Sequence, residues 1–332
     1  MTGRSAGRPK HRKKTRKQAS AGGASSTAGP AVRVERRSDG RVHLALARDP
    51  ATGRARLDLV RPVFLEDWQN RLTLAAANTA FASLAAKRSA ARAAELGRAA
   101  MDSTSTLVGG ILARAPVGAV ACRSGCDHCC YQSVGVTPTE ALTILAHLLE
   151  TRDPEALEAL RTRLVAFRDK TRDLDSRQRV SPDLPCPFLE QHACSIYPVR
   201  PLSCRGMNSL DAEVCERKLN DPETREAAFD GKLAGHVLIE PIRAFHAISA
   251  GLQLALAECF GLDMRPLDLA WALELLLREP KDEERLGGEV AARWLAGEPA
   301  LAQARGGDAS QDAGRVGLAG AARSSPEPQA RS

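Results

Sequence analysis

CRSGCDHCCYQ, residues 122–132, sets Cys122, Cys126, Cys129 and Cys130 within nine positions. An isolated cysteine often serves as a small buried hydrophobe, but four crowded together are seldom there for packing. They hold a metal, form disulfides or do chemistry. A segment of this kind takes its order from what its sulfurs bind, which predicts an irregular core that must be framed by regular elements elsewhere in the chain.

A second group follows in PCPFLEQHACSIYPVRPLSCRGMNSLDAEVC, residues 185–215, with Cys186, Cys194, Cys204 and Cys215. Eight of the nine cysteines thus lie between positions 122 and 215. Thiolates are natural ligands of zinc and of iron–sulfur iron, and both commonly take four per metal unit. Eight furnish two four-sulfur sites, or one site with spare thiols, and the spacing leaves both open. The insert of about 55 residues between the groups can bring them together. Metal binding would then contribute directly to folding.

The surroundings suit a thiolate cluster. Pro185, Pro187, Pro198 and Pro201 stiffen the second block, lowering the entropy lost when it is fixed. Arg123, Arg200 and Arg205 adjoin candidate ligands, and a helix starting at Pro138 would present its positive end. Each is suited to offset the negative charge of a metal held by four thiolates, while the plainer reading makes the arginines surface pairs. The side chains of adjacent Cys129 and Cys130 are expected to diverge. One then ligates while the other packs, serves a second metal or reacts. His128 and His192 are expected beside the ligands or in solvent rather than on the metal. Cys259 falls on the stripe Ile242, Phe245, Ser249, Leu252, Leu256, Cys259 and is expected in the core.

Composition sets the class. The chain has 332 residues, 43% hydrophobic but only 4% aromatic, and its Ala, Leu and Arg content favours helices over sheets. Residues 1–34 hold nine Lys/Arg and no acid, so the net charge of +7 belongs to that tail. The first residues lack the apolar run of a secretory signal, and no stretch reaches the length of a membrane span. The expectation is a cytoplasmic protein that does not engage a membrane. In a reducing compartment its cysteines point away from disulfides and toward metal binding or catalysis.

The predicted fold class is mainly α, with an irregular cysteine-rich metal-binding core packed among helices. Disordered tails are expected over 1–30 and 299–332. Alternation at Val32/Val34, Val42/Leu44/Leu46 and Leu57/Leu59 predicts a three-stranded meander within 31–62. A helical segment is expected over 63–118. It runs from Phe64 to about Gly97 on the stripe Leu65, Trp68, Leu72, Ala75, Thr79, Ala82, and Gly109-Gly110 and Pro116 end it. The cysteine-cluster domain spans 119–220. Within it, Thr137-Pro-Thr-Glu140 reads as a capping box opening one helix, and a second starts at Asp153-Pro154 and continues to about Arg172. A Pro- and Cys-rich loop is expected over about 180–215. Helices near 222–258 and 266–278, with a short one holding Trp294, make up a segment over 221–298 that packs on the domain.

The blocks CRSGCDHCC followed by VGVTPTEALTI, and CPFLEQHACSIYPVRPLSCRGMNSLDAEVC, resemble the YkgJ-type cysteine-cluster family, the zinc- or iron-chelating CxxCxxCC domain. The resemblance covers roughly residues 120–220. It implies Cys122, Cys126, Cys129, Cys130, Cys186, Cys194, Cys204 and Cys215 as candidate ligands of zinc or iron, the latter including a 4Fe-4S cluster. The family's name-giving pattern has two residues between its first two cysteines, where this chain has three. Flagellin lysine methylases look similar in carrying a related cluster, which implies protein methyl transfer as an enzymatic alternative. Against it, the nearest approach to a Gly-rich strand–turn–helix for an adenosyl cofactor is VGGI, residues 108–111. Cys122-x3-Cys126-x2-Cys129 also copies radical-SAM spacing, but the alternating strand–helix units of that barrel are absent from the pattern. The basic run KHRKKTRK suggests nucleic acid as a partner of the tail, with no recognition motif beside it.

Overall fold

The computed structural model describes residues between Leu44 and Arg278, with breaks at 49–51, 53–54, 60–62, 88, 117, 124, 234–235 and 261–265. An antiparallel hairpin of β1 (Leu44–Arg48) and β2 (Ala55–Leu59) comes first. Two long helices follow, α1 (Asp67–Ala86) and α2 (Ala90–Leu112). A 3-10 turn at His128–Tyr131 and β3 (Gly135–Val136) lead into α3 (Pro138–Thr151) and α4 (Pro154–Thr171). β4 (Leu189–Glu190) and β5 (Ala193–Cys194) form a small hairpin. Then come α5 (Leu202–Gly206), α6 (Ala212–Asn220), α7 (Pro222–Phe229) and α8 (Ile239–Phe260). β6 (Leu267–Asp268) pairs antiparallel with β3, and α9 (Leu269–Arg278) follows. The protein is mainly helical, as its composition predicts. Among the described residues, no helix is long and apolar enough to cross a membrane.

Local chemistry sets the helix starts around the cysteine blocks. Thr137 Oγ1 accepts from the Glu140 amide at 3.3 Å, and Glu140 Oε2 accepts from the Thr137 amide at 2.7 Å, completing the capping box. Asp153 Oδ1 accepts from the Ala156 amide at 2.8 Å, with Pro154 at the first helical position. Glu140 does more than cap. It is buried, and its Oε1 accepts from the Leu202 amide at 2.8 Å, tying the start of α3 to the start of α5.

Small residues let the helices approach closely. A Cβ on Gly251 of α8 would stand 2.5 Å from the Thr73 carbonyl oxygen of α1. A Cβ on Gly97 of α2 would stand 2.4 Å from the Thr139 carbonyl oxygen of α3, and across that contact Thr143 Oγ1 donates to Ala94 O at 2.6 Å. The core beneath is aliphatic, with Leu84, Met101, Leu142, Leu145, Leu160 and Leu273 fully buried. On α8, Leu252, Leu256 and Cys259 are buried as expected, whereas Ile242, Phe245 and Ser249 are only half-buried.

Several expectations need correcting. The helix expected from Phe64 to Gly97 is two helices, separated at Lys87–Ser89, where Ser89 Oγ accepts from the Arg92 amide and starts α2. Gly97 ends nothing; it is a contact point inside α2. The buried face of α1 is Gln69, Thr73, Ala77, Ala80 and Leu84, and Leu65 is 87% exposed. Alanines on every side leave little amphipathic contrast, and the approach of Gly251 decides which face is covered. The loop expected at 180–215 contains a hairpin and two short helices, and the 222–258 helix is interrupted between Phe229 and Ile239. The strand at Val32/Val34, the helix at Trp294 and both tails, including KHRKKTRK, lie outside the described residues.

Two stability measurements test this packing. Gly251→Val forces side-chain carbons into the Thr73 and Ala77 backbones and should cost about 1–3 kcal/mol. Gly109→Ala, where a Cβ meets no atom within 4 Å, should be neutral or stabilising by up to about 1 kcal/mol. Urea midpoints at unchanged slope would report both. Glu140→Ala leaves the Thr137 and Leu202 amides without their acceptor and should cost about 1–3 kcal/mol for each, read from the same midpoints.

Candidate metal centre

Backbone bonds draw the two cysteine blocks together. The Ala121 amide donates to Ser209 O at 2.8 Å, and the Cys186 amide donates to Cys130 O at 2.7 Å. Between these joins, Gly125 takes φ +80° and the 3-10 turn places Cys129 and Cys130. In the second block, the β4–β5 hairpin reverses at Gln191 and His192, both at positive φ, a conformation non-glycine residues seldom adopt. His192 Nδ1 pairs with Asp127 Oδ2 at 2.8 Å, clasping that turn to the first block. Phe188, fully buried, accepts the Ser195 amide and anchors the hairpin bearing Cys194. Cys204 lies on α5 and Cys215 on α6, the latter helix started by Asp211 Oδ1 accepting from the Val214 amide.

All eight sulfurs gather around this junction. Cys122 and Cys129 are exposed and the other six half-buried, and among the described residues no cysteine is in a disulfide. The Ser209 amide donates to Cys122 Sγ at 3.2 Å. Burial pushes the Cys122 thiol up, Ser209 pulls it down, and neighbouring Cys129 and Cys126 push it up again. For Cys215, burial raises the thiol, the Ser209 hydroxyl lowers it, and Cys122, Cys129 and Cys126 raise it. Cys186 is pushed up to about 12, mainly by burial, and Cys204 well above its ordinary value by burial and then by Cys129, Cys186 and Cys194. Burial likewise raises Cys194.

The doublet splits in its surroundings: Cys129 is exposed and lines the open pocket, whereas Cys130 is half-buried and does not. Interaction between the two thiols lowers Cys129 to about 7 and raises Cys130.

The flanking groups sort differently from the expectation. Arg200 lowers Cys122, Cys129, Cys194 and Cys204 while it stacks over Tyr197 at 4.5 Å, and Arg205 adds to it at Cys194. Arg205 spends its guanidinium on Ser105, Pro198 O and Arg200 O, and Arg123 is exposed. The positive end of α3 is met by Glu140, not by sulfur. Sequence reasoning missed Lys218, whose ammonium is held low by burial and raised by Cys215 and Cys129. Its spacing of three from Cys215 on one helix was the available signal. It also missed Ser209 and Asp127. His128 lines an open pocket with Cys122, Cys126, Cys129, Cys215 and Lys218, and His192 is largely exposed.

The donor set fits a thiophilic metal. Eight sulfurs converge, and buried Arg200 Nε and Ser195 Oγ have no hydrogen-bond partner among the described residues. Both adjoin the sulfurs, where thiolate charge would satisfy them. Among the described residues, no three Cys, His, Asp or Glu side chains form a ready-made ion-holding group. Neutral thiols gain nothing by converging and thiolates repel, so side-chain rotation would complete a site as a cation displaces protons. VGGI forms the last turns of α2 and no strand–turn–helix, and the radical-SAM spacing follows a helix and irregular chain rather than a barrel strand.

No curated protein and no solved structure matches the chain. Residues 121–226 match the model of the CxxCxxCC family, described as "Putative zinc- or iron-chelating domain". The matched segment contains all eight clustered cysteines.

Proposed function

We propose that this protein binds zinc or iron through the thiolates of Cys122, Cys126, Cys129, Cys130, Cys186, Cys194, Cys204 and Cys215. The observation that carries the reading is their convergence. Two sequence blocks supply eight sulfurs to one junction, where Arg200 and Lys218 face them and an Arg200 nitrogen lacks a partner among the described residues. Zinc or a 4Fe-4S cluster would find soft donors and nearby positive charge here. When bound, the metal supplies cross-links between blocks that only a few hydrogen bonds now join.

Arg200 and Lys218 offset charge on the sulfurs, Ser209 orients Cys122, and the Asp127–His192 pair holds the Cys194 hairpin against the first block. Each is a positioning role that leaves the sulfurs as the donors.

Anaerobic purification followed by elemental analysis tests the reading. Stoichiometric zinc in colourless protein indicates a zinc site, whereas iron with acid-labile sulfide and visible absorption indicates a cluster. Full-length protein that contains neither, and takes up neither when supplied, would sink it. If the metal staples the blocks, stripping it with a chelator should lower the thermal midpoint and open residues 121–226 to protease. Resupplying the same metal should restore both.

A further inference from the structure

The reading above treats the eight sulfurs as one supply; their placement divides them. Cys122, Cys126, Cys129 and Cys215 all line the open pocket between the 3-10 turn and α6. None of Cys130, Cys186, Cys194 and Cys204 does. The pocket-side set has its own tether, since the Ser209 amide donates to Cys122 Sγ. It also has its own cation in Lys218, one turn beyond Cys215 and facing Cys215 and Cys129.

The inner set is tethered separately. The Cys186 amide is bound to Cys130 O, and the Cys194 hairpin is anchored through buried Phe188 and Ile196. Cys130 lies within electrostatic reach of Cys186 and Cys204, and Cys204 within reach of Cys186 and Cys194. Cys129 links the two sets, as the neighbour of Cys130 and within electrostatic reach of Cys194 and Cys204.

Resting on the metal-binding reading, we infer that the doublet divides the sulfurs between two subsites: a pocket-side one of Cys122, Cys126, Cys129 and Cys215, and an inner one of Cys130, Cys186, Cys194 and Cys204. The pocket-side subsite holds both exposed sulfurs, Cys122 and Cys129, and opens to solvent and to competing ligands, whereas all four sulfurs of the inner subsite are half-buried. Metal on the pocket side therefore exchanges, while the inner metal stays with the fold. Adjacent cysteines are what such a centre needs, because one backbone turn must hand neighbouring sulfurs to both halves.

The test titrates reduced, metal-stripped full-length protein with zinc alone under anaerobic conditions and counts bound ions by native mass spectrometry. A colorimetric zinc chelator then times their release. Wild type should hold two zinc ions and release them in two phases separated at least tenfold in rate. Cys215→Ser should keep one ion and lose the fast phase. Cys186→Ser should keep one and lose the slow phase, and Cys194→Ser serves the same purpose should Cys186→Ser not fold by circular dichroism. One ion in wild type, or Cys215→Ser and the inner variants removing the same phase, overturns the partition while leaving metal binding intact. Wild type that binds no zinc on titration and carries no iron as purified overturns the metal-binding reading itself.

Discussion

The Glu140 carboxylate holds together the parts on which the cysteine junction depends. It accepts from Thr137 at the start of α3 and from Leu202 at the start of α5, away from water. The first contact fixes the helix that leaves the first cysteine block. The second fixes the helix carrying Cys204, two residues further on. Burial raises this carboxyl overall, while the Thr137 and Leu202 amides, the Thr137 hydroxyl and nearby Arg205 each pull it down. The regular part of the protein is thereby connected to the irregular part at one atom-scale joint.

Around that joint the helices act as a frame. Gly97 and Gly251 bring α2 onto α3 and α1 onto α8 at backbone contact, so these pairs have little room to slide. The cysteine blocks enter from this frame and meet through single hydrogen bonds, such as Cys186 to Cys130 and Ala121 to Ser209. Half-exposed bonds of this kind are individually worth about 1 kcal/mol. A rigid frame with a lightly fastened junction places the sulfurs near one another and leaves their final approach free to respond to what they bind.

The local chemistry was legible in the sequence and the tertiary chemistry was not. Thr137-Pro138-Thr139-Glu140 and Asp153-Pro154 announce their helices because a cap is decided within four residues. The eight clustered cysteines announce themselves by composition. The buried face of α1 does not, since alanine covers every side of it and the deciding partner, Gly251, lies far along the chain. Nor does the charge on the cluster: Arg200 and Arg205 look equivalent in sequence, yet Arg205 is committed to Ser105 and two carbonyls while Arg200 faces sulfur. Asp127 and His192 pair across 65 positions, and no spacing rule reaches that far.

The protonation of the sulfurs also bears on how a cation would enter. Burial, and mutual repulsion between sulfurs, hold Cys122, Cys130, Cys186, Cys194, Cys204 and Cys215 above the ordinary thiol value. Interaction with Cys130 brings Cys129 down to about 7. Were a metal held by these sulfurs, they would have to give up protons to it, so uptake would strengthen as the pH rises.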